Sequence, residues 1–281
     1  MTLEDLLASA AARLRAAGIE SPRREARLLL AHVLRIGQED IVAGHLPPLV
    51  PEQAQTFEAL LKRREAREPL AYILGRREFW SLEFTVGPGV LVPRPESELL
   101  IEQALKAYPD RNAPLRVLDL GTGSGCLLLA FLSERPNAQG LGADISERAL
   151  QVAEQNAADL QLAKRARFTC SNWFEKVAGA FDVILVNPPY IPRNALRDLQ
   201  PEVQTYEPGS ALDGGLDGLD CYREIAFSLP GRMTPGSRAF FEVGQGQAEA
   251  VALLLAQAGL RIEGTVCDLA GIPRCVIATP T

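Results

Sequence analysis

The chain has 281 residues, 47% of them hydrophobic and 23% charged, which gives ample material for a buried core and makes two unequal domains the expectation. Its net charge of −6 divides into 12 basic against 12 acidic residues in 1–85 and 17 against 23 in 86–281, so no half offers a long basic track for nucleic acid. Five cysteines without paired spacing exclude a disulfide framework, and with neither a leader pattern nor a bilayer-length apolar run the expected location is the cytoplasm.

In chain order, Leu3, Leu6, Leu7, Ala10 and Leu14 recur at helical spacing between Thr2, placed to cap, and Gly18, placed to stop. Ser21 and Pro22 open a second helix and Pro51 a third, which together predict a small helical bundle. Both histidines, His32 and His45, fall here and read as structural. Residues 86–281 contain none, which excludes a Ser-His-Asp hydrolase, a histidine base or a histidine-ligated metal there; no metal is expected.

Glu78 to Val86 alternates and is rich in aromatic and leucine side chains, as in a short hairpin. In VLVPRPESE (90–98), Pro93 and Pro95 stiffen the chain around Arg94, and Glu96 and Glu98 enter the first turn of a helix reaching about Tyr108. Read by spacing, this is a linker with a helix cap.

A strand then spans Arg116 to Leu120, followed by the turn Gly121-Thr122-Gly123-Ser124-Gly125 and a helix from Cys126 to Glu134. The next strand, Ala138 to Ala143, leads to Asp144, 19 residues beyond Gly125 and suited to accept both hydroxyls of an adenosine ribose. A nicotinamide-binding domain would share these features. Here, however, the third glycine is Gly125, one position short of the G-x-G-x-x-G spacing, and Asp119 precedes the turn, a pattern closer to S-adenosylmethionine binding. Ser146 caps a helix through Leu162, Ala166 to Cys170 is a strand, and Asn172 with Trp173 stand where they could flank an adenine. Residues 191–220 read as a long polar loop in which Asp213, Asp217 and Asp220 serve turns and caps. Ala239 to Val243 is a strand, Gln247 to Ala258 a helix, and Arg261–Asp268 with Arg274–Ala278 a closing pair, so the sheet should be mostly parallel with one antiparallel edge strand.

The chemistry concentrates in Phe181 to Tyr190, FDVILVNPPY. Val183 to Val186 is an unbroken apolar run, a strand buried on both faces, and Pro188 and Pro189 end it while holding Asn187 rigid at its carboxyl end. The side-chain carbonyl of Asn187 and the main-chain carbonyl of Pro188 can converge on one NH2 group, raising electron density on its nitrogen, and Tyr190 offers a flat wall. An amide or an amino-purine carries such a group. A tight turn after a buried strand would use the same residues.

DLGTGSG (119–125), GADIS (142–146), SNWF (171–174) and VNPPYIP (186–192) therefore stand beside PLAYILGRREFW (69–80), VLVPRPESE (90–98), YEPGSALDGGLDGLDCYREI (206–225) and FFEVGQGQ (240–247). Together they resemble the release-factor glutamine methyltransferase family, over nearly the whole chain. The resemblance implies an α/β fold: a Rossmann-like class I methyltransferase domain with a mostly parallel seven-stranded sheet and one antiparallel strand, behind a small all-α domain and a β-hairpin linker. The expected division is 1–76 for recognition, 77–95 for the linker and 96–281 for methyl transfer. The implied reaction is N5-methylation of the glutamine in the Gly-Gly-Gln motif of class 1 peptide-chain release factors, with S-adenosyl-L-methionine giving S-adenosyl-L-homocysteine. Carried over, the catalytic candidates are Asn187, Pro188 and Tyr190. The cofactor candidates are Asp119, Gly121, Thr122, Gly123, Ser124, Gly125, Asp144, Asn172, Trp173 and Asn187, and the substrate candidates Arg94, Asn187, Pro188, Pro189 and Tyr190. Two positions depart from the family pattern: Ser97 stands for its usual threonine, and Asn172 for its usual aspartate. The expected partner is the release factor, with no extended nucleic-acid or membrane binding and a monomeric chain. An adenine N6-methyltransferase of DNA or RNA is the alternative, and a non-catalytic adenosine-binding module would keep the glycine turn without needing Asn187.

Overall fold

The computed structural model describes residues 2–37, 40–41 and 49–281; His45 lies outside them. The chain forms two compact units, Met1–Arg76 with Gln200–Tyr206, and Arg77–Leu199 with Glu207–Thr281.

The first unit is helical. Helix α1 (Leu3–Ala16) begins with a capping box in which Thr2 Oγ1 accepts from Asp5 N at 3.1 Å and the Asp5 carboxylate from Thr2 N at 2.9 Å. Its buried Ala10 and Leu14 share a core with Leu29 and Leu30 of α2 (Pro22–Leu34) and Phe57 and Leu61 of α3 (Pro51–Glu65). A fourth helix, α4 (Leu70–Leu74), is too short to show an amphipathic period, so sequence periodicity passes over it. The short helix Pro201–Tyr206 joins this unit through charge rather than oil. The guanidinium of Arg64, its side chain only 6% exposed, donates to Glu25 at 2.5 Å and to Glu202 at 2.9 Å, and Arg67 donates to Glu202 at 2.6 Å. Arg64→Ala leaves two carboxylates short of a partner in a nearly dry site and is expected to cost about 3 kcal/mol of stability. Urea unfolding followed by circular dichroism checks this, and an unchanged midpoint would refute it.

Strands β1 (Arg76–Phe79) and β2 (Leu82–Thr85) form the expected hairpin, turning through Trp80 and Ser81 at φ of 54° and 57°. Helix α5 (Glu98–Ala107) follows a 3₁₀ turn at Pro95–Ser97. Then come β3 (Arg116–Leu120), α6 (Cys126–Glu134), β4 (Gln139–Asp144), α7 (Glu147–Asp159), β5 (Ala166–Cys170), β6 (Phe181–Val186), α8 (Asp220–Ser228), β7 (Met233–Glu242), α9 (Ala248–Gln257), β8 (Leu260–Cys267) and β9 (Pro273–Pro280). The seven strands lie in the order β5-β4-β3-β6-β7-β9-β8. Alternate residues of the central strands feed opposite cores: Leu118, Ile184 and Val186 pack with Tyr222 and Ile225 of α8 and Val251 of α9, while Val117, Val183 and Leu185 pack with Leu128 of α6 and Leu100 of α5.

Three details differ from the sequence expectation. The antiparallel strand is not at the edge: β9 inserts between β7 and β8, antiparallel to both, and β8 takes the edge. Strand β7 starts six residues early because a register shift against β6 and Gly236 at φ 82° absorb Pro235. Finally, the polar stretch 191–220 is largely ordered, since Glu202 and Glu207 are buried against arginines, a form of burial that hydropathy cannot register.

The pairing sets the site. Leu120 is level with Ala143 and with Val186, and Val186 with Phe241, so Gly121, Asp144, Asn187 and Glu242 follow one row beyond, at the carboxyl ends of four adjacent strands. With β4 on one side of β3 and β6 on the other, the chain order reverses here, where open α/β sheets bind ligands.

Candidate active site

The glycine turn is conformationally demanding: Gly121, Gly123 and Gly125 adopt φ of 71°, 55° and 80°. Main-chain amides of Gly121 and Thr122 donate to the Ala143 carbonyl at 2.8 and 3.0 Å, docking the turn onto β4. The Asp144 carboxylate accepts from Gly123 N and from Ser146 N, both at 2.9 Å, and keeps lone pairs toward the cavity beside it. Behind the turn, Asp119 is completely buried. Its Oδ2 accepts from Thr122 Oγ1 at 2.6 Å and Leu128 N at 3.3 Å, whereas Oδ1 and the nearby Ser124 Oγ are buried without a hydrogen-bond partner among the described residues. Burial pushes the Asp119 carboxyl up to about 7, against the pull of its Thr122 hydrogen bond. An orphaned carboxylate oxygen behind a glycine turn, with a second carboxylate on the neighbouring strand, fits an amino-acid nucleoside such as S-adenosylmethionine.

A cavity of about 270 Å³ opens in front of these groups. Among the sequence candidates, Arg94, Gly121, Thr122, Gly123, Ser124, Asp144, Asn172, Trp173, Asn187 and Pro189 line it. Asp119, Gly125, Pro188 and Tyr190 stand off its wall.

At one end, Trp173 is held at φ 44°, an uncommon backbone for a bulky residue, and its indole N–H donates to Glu224 Oε2 at 3.1 Å. The Asn172 amide donates to Glu224 Oε1 at 3.1 Å and to Glu175 at 3.2 Å. Glu224 thus orients both residues, and it does so because position 172 is an amide; an aspartate there would oppose two carboxylates. At the rim, Arg94 pairs at 2.6 Å with Glu207, whose other oxygen takes Val92 N at 3.2 Å, so the proline-stiffened segment is anchored by a buried carboxylate.

At the other end, the Asn187 amide nitrogen donates to Ser97 Oγ at 3.0 Å, leaving Oδ1 without a partner among the described residues. The Tyr190 hydroxyl donates to Glu242 at 3.4 Å, and burial raises its pKa. Close packing holds this segment: a Cβ on Gly214 would lie 2.8 Å from Tyr190 Cα, and one on Gly218 2.4 Å from the Tyr190 carbonyl oxygen. Sequence reasoning passed over Glu207, Glu224 and Glu242 and gave Ser97 no role. The one available signal was Glu242 itself, an acidic residue directly after the apolar run Ala239–Phe241.

Residues 5–75 match the PrmC N-terminal domain family and residues 95–199 the methyltransferase small domain family. The release factor glutamine methyltransferase of Rhodospirillum rubrum is 46% identical over 278 residues, 99% of this chain and 85% of its own length. That of Cereibacter sphaeroides is 47% identical over 279 residues, covering 99% and 98% of the two chains. Among solved structures, the ribosomal protein L11 methylase of Lactobacillus delbrueckii subsp. bulgaricus aligns with a TM-score of 0.52 at 19% identity, over 69% of this chain and 83% of that one, a likeness of fold.

Proposed function

The chain belongs to the release factor glutamine methyltransferase family, and from that premise we propose that it methylates the side-chain amide nitrogen of the glutamine in the Gly-Gly-Gln motif of class 1 peptide-chain release factors, using S-adenosyl-L-methionine. The observation that carries this reading is Asn187 on the cavity wall, its amide nitrogen committed to Ser97 and its oxygen left to accept. When bound, the cofactor supplies an electrophilic sulfonium methyl and leaves as S-adenosyl-L-homocysteine.

The residues divide the remaining work. Asp119 braces the Gly121–Gly125 turn from behind through Thr122, the turn takes the cofactor's amino-acid end, Asp144 the ribose hydroxyls, and Asn172 with Trp173 the adenine. Asn187 Oδ1 and the Pro188 carbonyl accept the two amide hydrogens of the glutamine, which aims its weakly nucleophilic nitrogen and raises its electron density. Pro189 walls the amide, Tyr190 backs that segment through its contact with Glu242, and Arg94 meets the substrate backbone at the rim. No base is needed: the methylated amide nitrogen is strongly acidic, and its extra proton passes to water in a domain without histidine.

Within this reading, 1–76 docks the release factor, 77–95 links, and 96–281 carries the reaction, in a monomer without extended nucleic-acid contacts. The even charge of residues 1–85 favours a protein over a duplex. Among the described residues no helix is long and apolar enough to cross a membrane. Methyl transfer from labelled cofactor to a release factor or to a duplex oligonucleotide tests the assignment, and label in the oligonucleotide alone would establish adenine methylation instead.

A pH dependence follows from Asp119. Raised from 3.8 to about 7 by burial, this carboxyl gives the fold a stability that is complete below about pH 4 and lost as pH rises through 7. A cationic amino group seated on the turn in front of Asp119 favours the ionised form, so cofactor affinity is expected to fall as pH drops below 7 and to level off above it. Calorimetric titrations across that range check this. Asp119→Asn should bind weakly at every pH; an unchanged slope in that variant would assign the proton elsewhere.

A further inference from the structure

Glu242 closes β7 with its side chain buried, and no step above uses it. Its Oε2 accepts from Ser97 Oγ at 2.5 Å and its Oε1 from the Tyr190 hydroxyl at 3.4 Å, while Tyr222 holds its main-chain carbonyl at 2.7 Å. Ser97 Oγ is also the acceptor for Asn187 Nδ2. These contacts form an ordered chain, Asn187 to Ser97 to Glu242, and its polarity is fixed by chemistry. Burial pushes the Glu242 carboxyl above its ordinary range; in its ionised form it only accepts, so the single hydroxyl hydrogen of Ser97 is used on Glu242. Toward Asn187, Ser97 has only lone pairs to offer. Asn187 must then turn its NH2 to Ser97 and its oxygen to the cavity.

Without that constraint an asparagine amide is nearly indifferent to a half-turn about its last torsion. The reversed amide would set an NH2 against the substrate NH2, donor against donor, and the acceptor would be lost although Asn187 were still present. We propose that Ser97 and Glu242 are positioning residues that lock Asn187 with its carbonyl toward the reacting nitrogen, Glu242 setting the direction and Ser97 transmitting it. The proposal rests on the amide-methylation reading above. It also gives the proline-stiffened segment a part in the site beyond linking: Pro93 and Pro95 hold the turn that presents Ser97.

The test uses the full-length chain with Ser97→Ala, Ser97→Thr, Asn187→Ala and the Ser97→Ala/Asn187→Ala double variant, assayed for kcat and KM on a release factor, for S-adenosyl-L-homocysteine affinity by calorimetry, and for Tm. Ser97→Ala is expected to lower kcat about ten- to hundredfold with cofactor affinity within about twofold of the parent. Ser97→Thr, which keeps the hydroxyl, recovers the rate to within about threefold. The double variant is no slower than Asn187→Ala, because the lock has nothing left to hold. A normal kcat in Ser97→Ala, or additive slowing in the double variant, overturns the proposal. If Asn187→Ala is slow and Ser97→Ala is not, the chain of positioning fails alone; if Asn187→Ala itself turns over normally, the amide-acceptor reading fails and the proposal with it. Should Ser97→Ala melt early, Glu242→Gln tests the far end by exchanging one acceptor for a donor at constant size. There too, slowing additive with Asn187→Ala refutes the lock.

Discussion

Asn187→Ala is expected to slow methyl transfer to a release factor by roughly two to three orders of magnitude at saturating substrate, the loss typical when one preorganised hydrogen bond at the reacting centre is removed. The size follows from what remains. Pro188 still directs its carbonyl from a rigid backbone, so one amide hydrogen keeps an acceptor; the other faces a space vacated by Oδ1, and the nitrogen is free to rotate out of line. Cofactor affinity should change by no more than a few fold, since the Gly121–Gly125 turn, Asp119 and Asp144 belong to β3, β4 and the turn that follows β3, and the Asn187 main chain is untouched. Rapid-quench measurement of the chemical step beside calorimetry of the cofactor separates the two effects. Near-normal turnover would remove Asn187 from the mechanism.

That residue was visible in the sequence because three local signals coincide there: an apolar run too uniform for a half-exposed strand, two successive prolines, and a polar side chain between them. The glycine turn and Asp144 were legible for similar reasons, since a βα turn and the end of the next strand are written within a few tens of residues. What could not be read depends on register between distant segments. Glu242 meets the site because β7 lies level with β6, and Ser97 because the segment before α5 is 90 residues away in sequence yet 3.0 Å from Asn187 in space. Asp119 was placed by motif, but its burial and lone oxygen emerge only when α6 packs over β3. Likewise the stretch 191–220 looks like solvent loop by composition. Its order comes from Glu202 and Glu207 finding Arg64, Arg67 and Arg94, each more than 100 residues earlier.

The second large effect concerns the helical unit. Removing residues 1–76 is expected to lower kcat/KM on intact release factor by about a hundredfold, as loss of a few interface anchors would, while leaving turnover of a short Gly-Gly-Gln peptide, poor for both forms, nearly unchanged. All cofactor and catalytic candidates lie beyond residue 76, in a unit with two hydrophobic cores of its own. The deletion must be made with care, because Gln200–Tyr206 belongs to the helical unit. Truncation alone would bare Glu202, stripped of Arg64 and Arg67, and the resulting loss would report a damaged segment rather than a missing docking surface. The truncated chain should therefore carry a glycine-serine replacement of 200–206 and keep Glu207, which anchors Val92 and Arg94 within the catalytic unit. Salt adds a second reading. Docking by shape, from a segment with equal numbers of acidic and basic residues, should weaken little with ionic strength, whereas a polyanionic substrate would be lost steeply. Equal losses on protein and peptide, with cofactor affinity retained, would mean that the helices brace the active site, and the docking role would pass to surfaces of the catalytic unit itself.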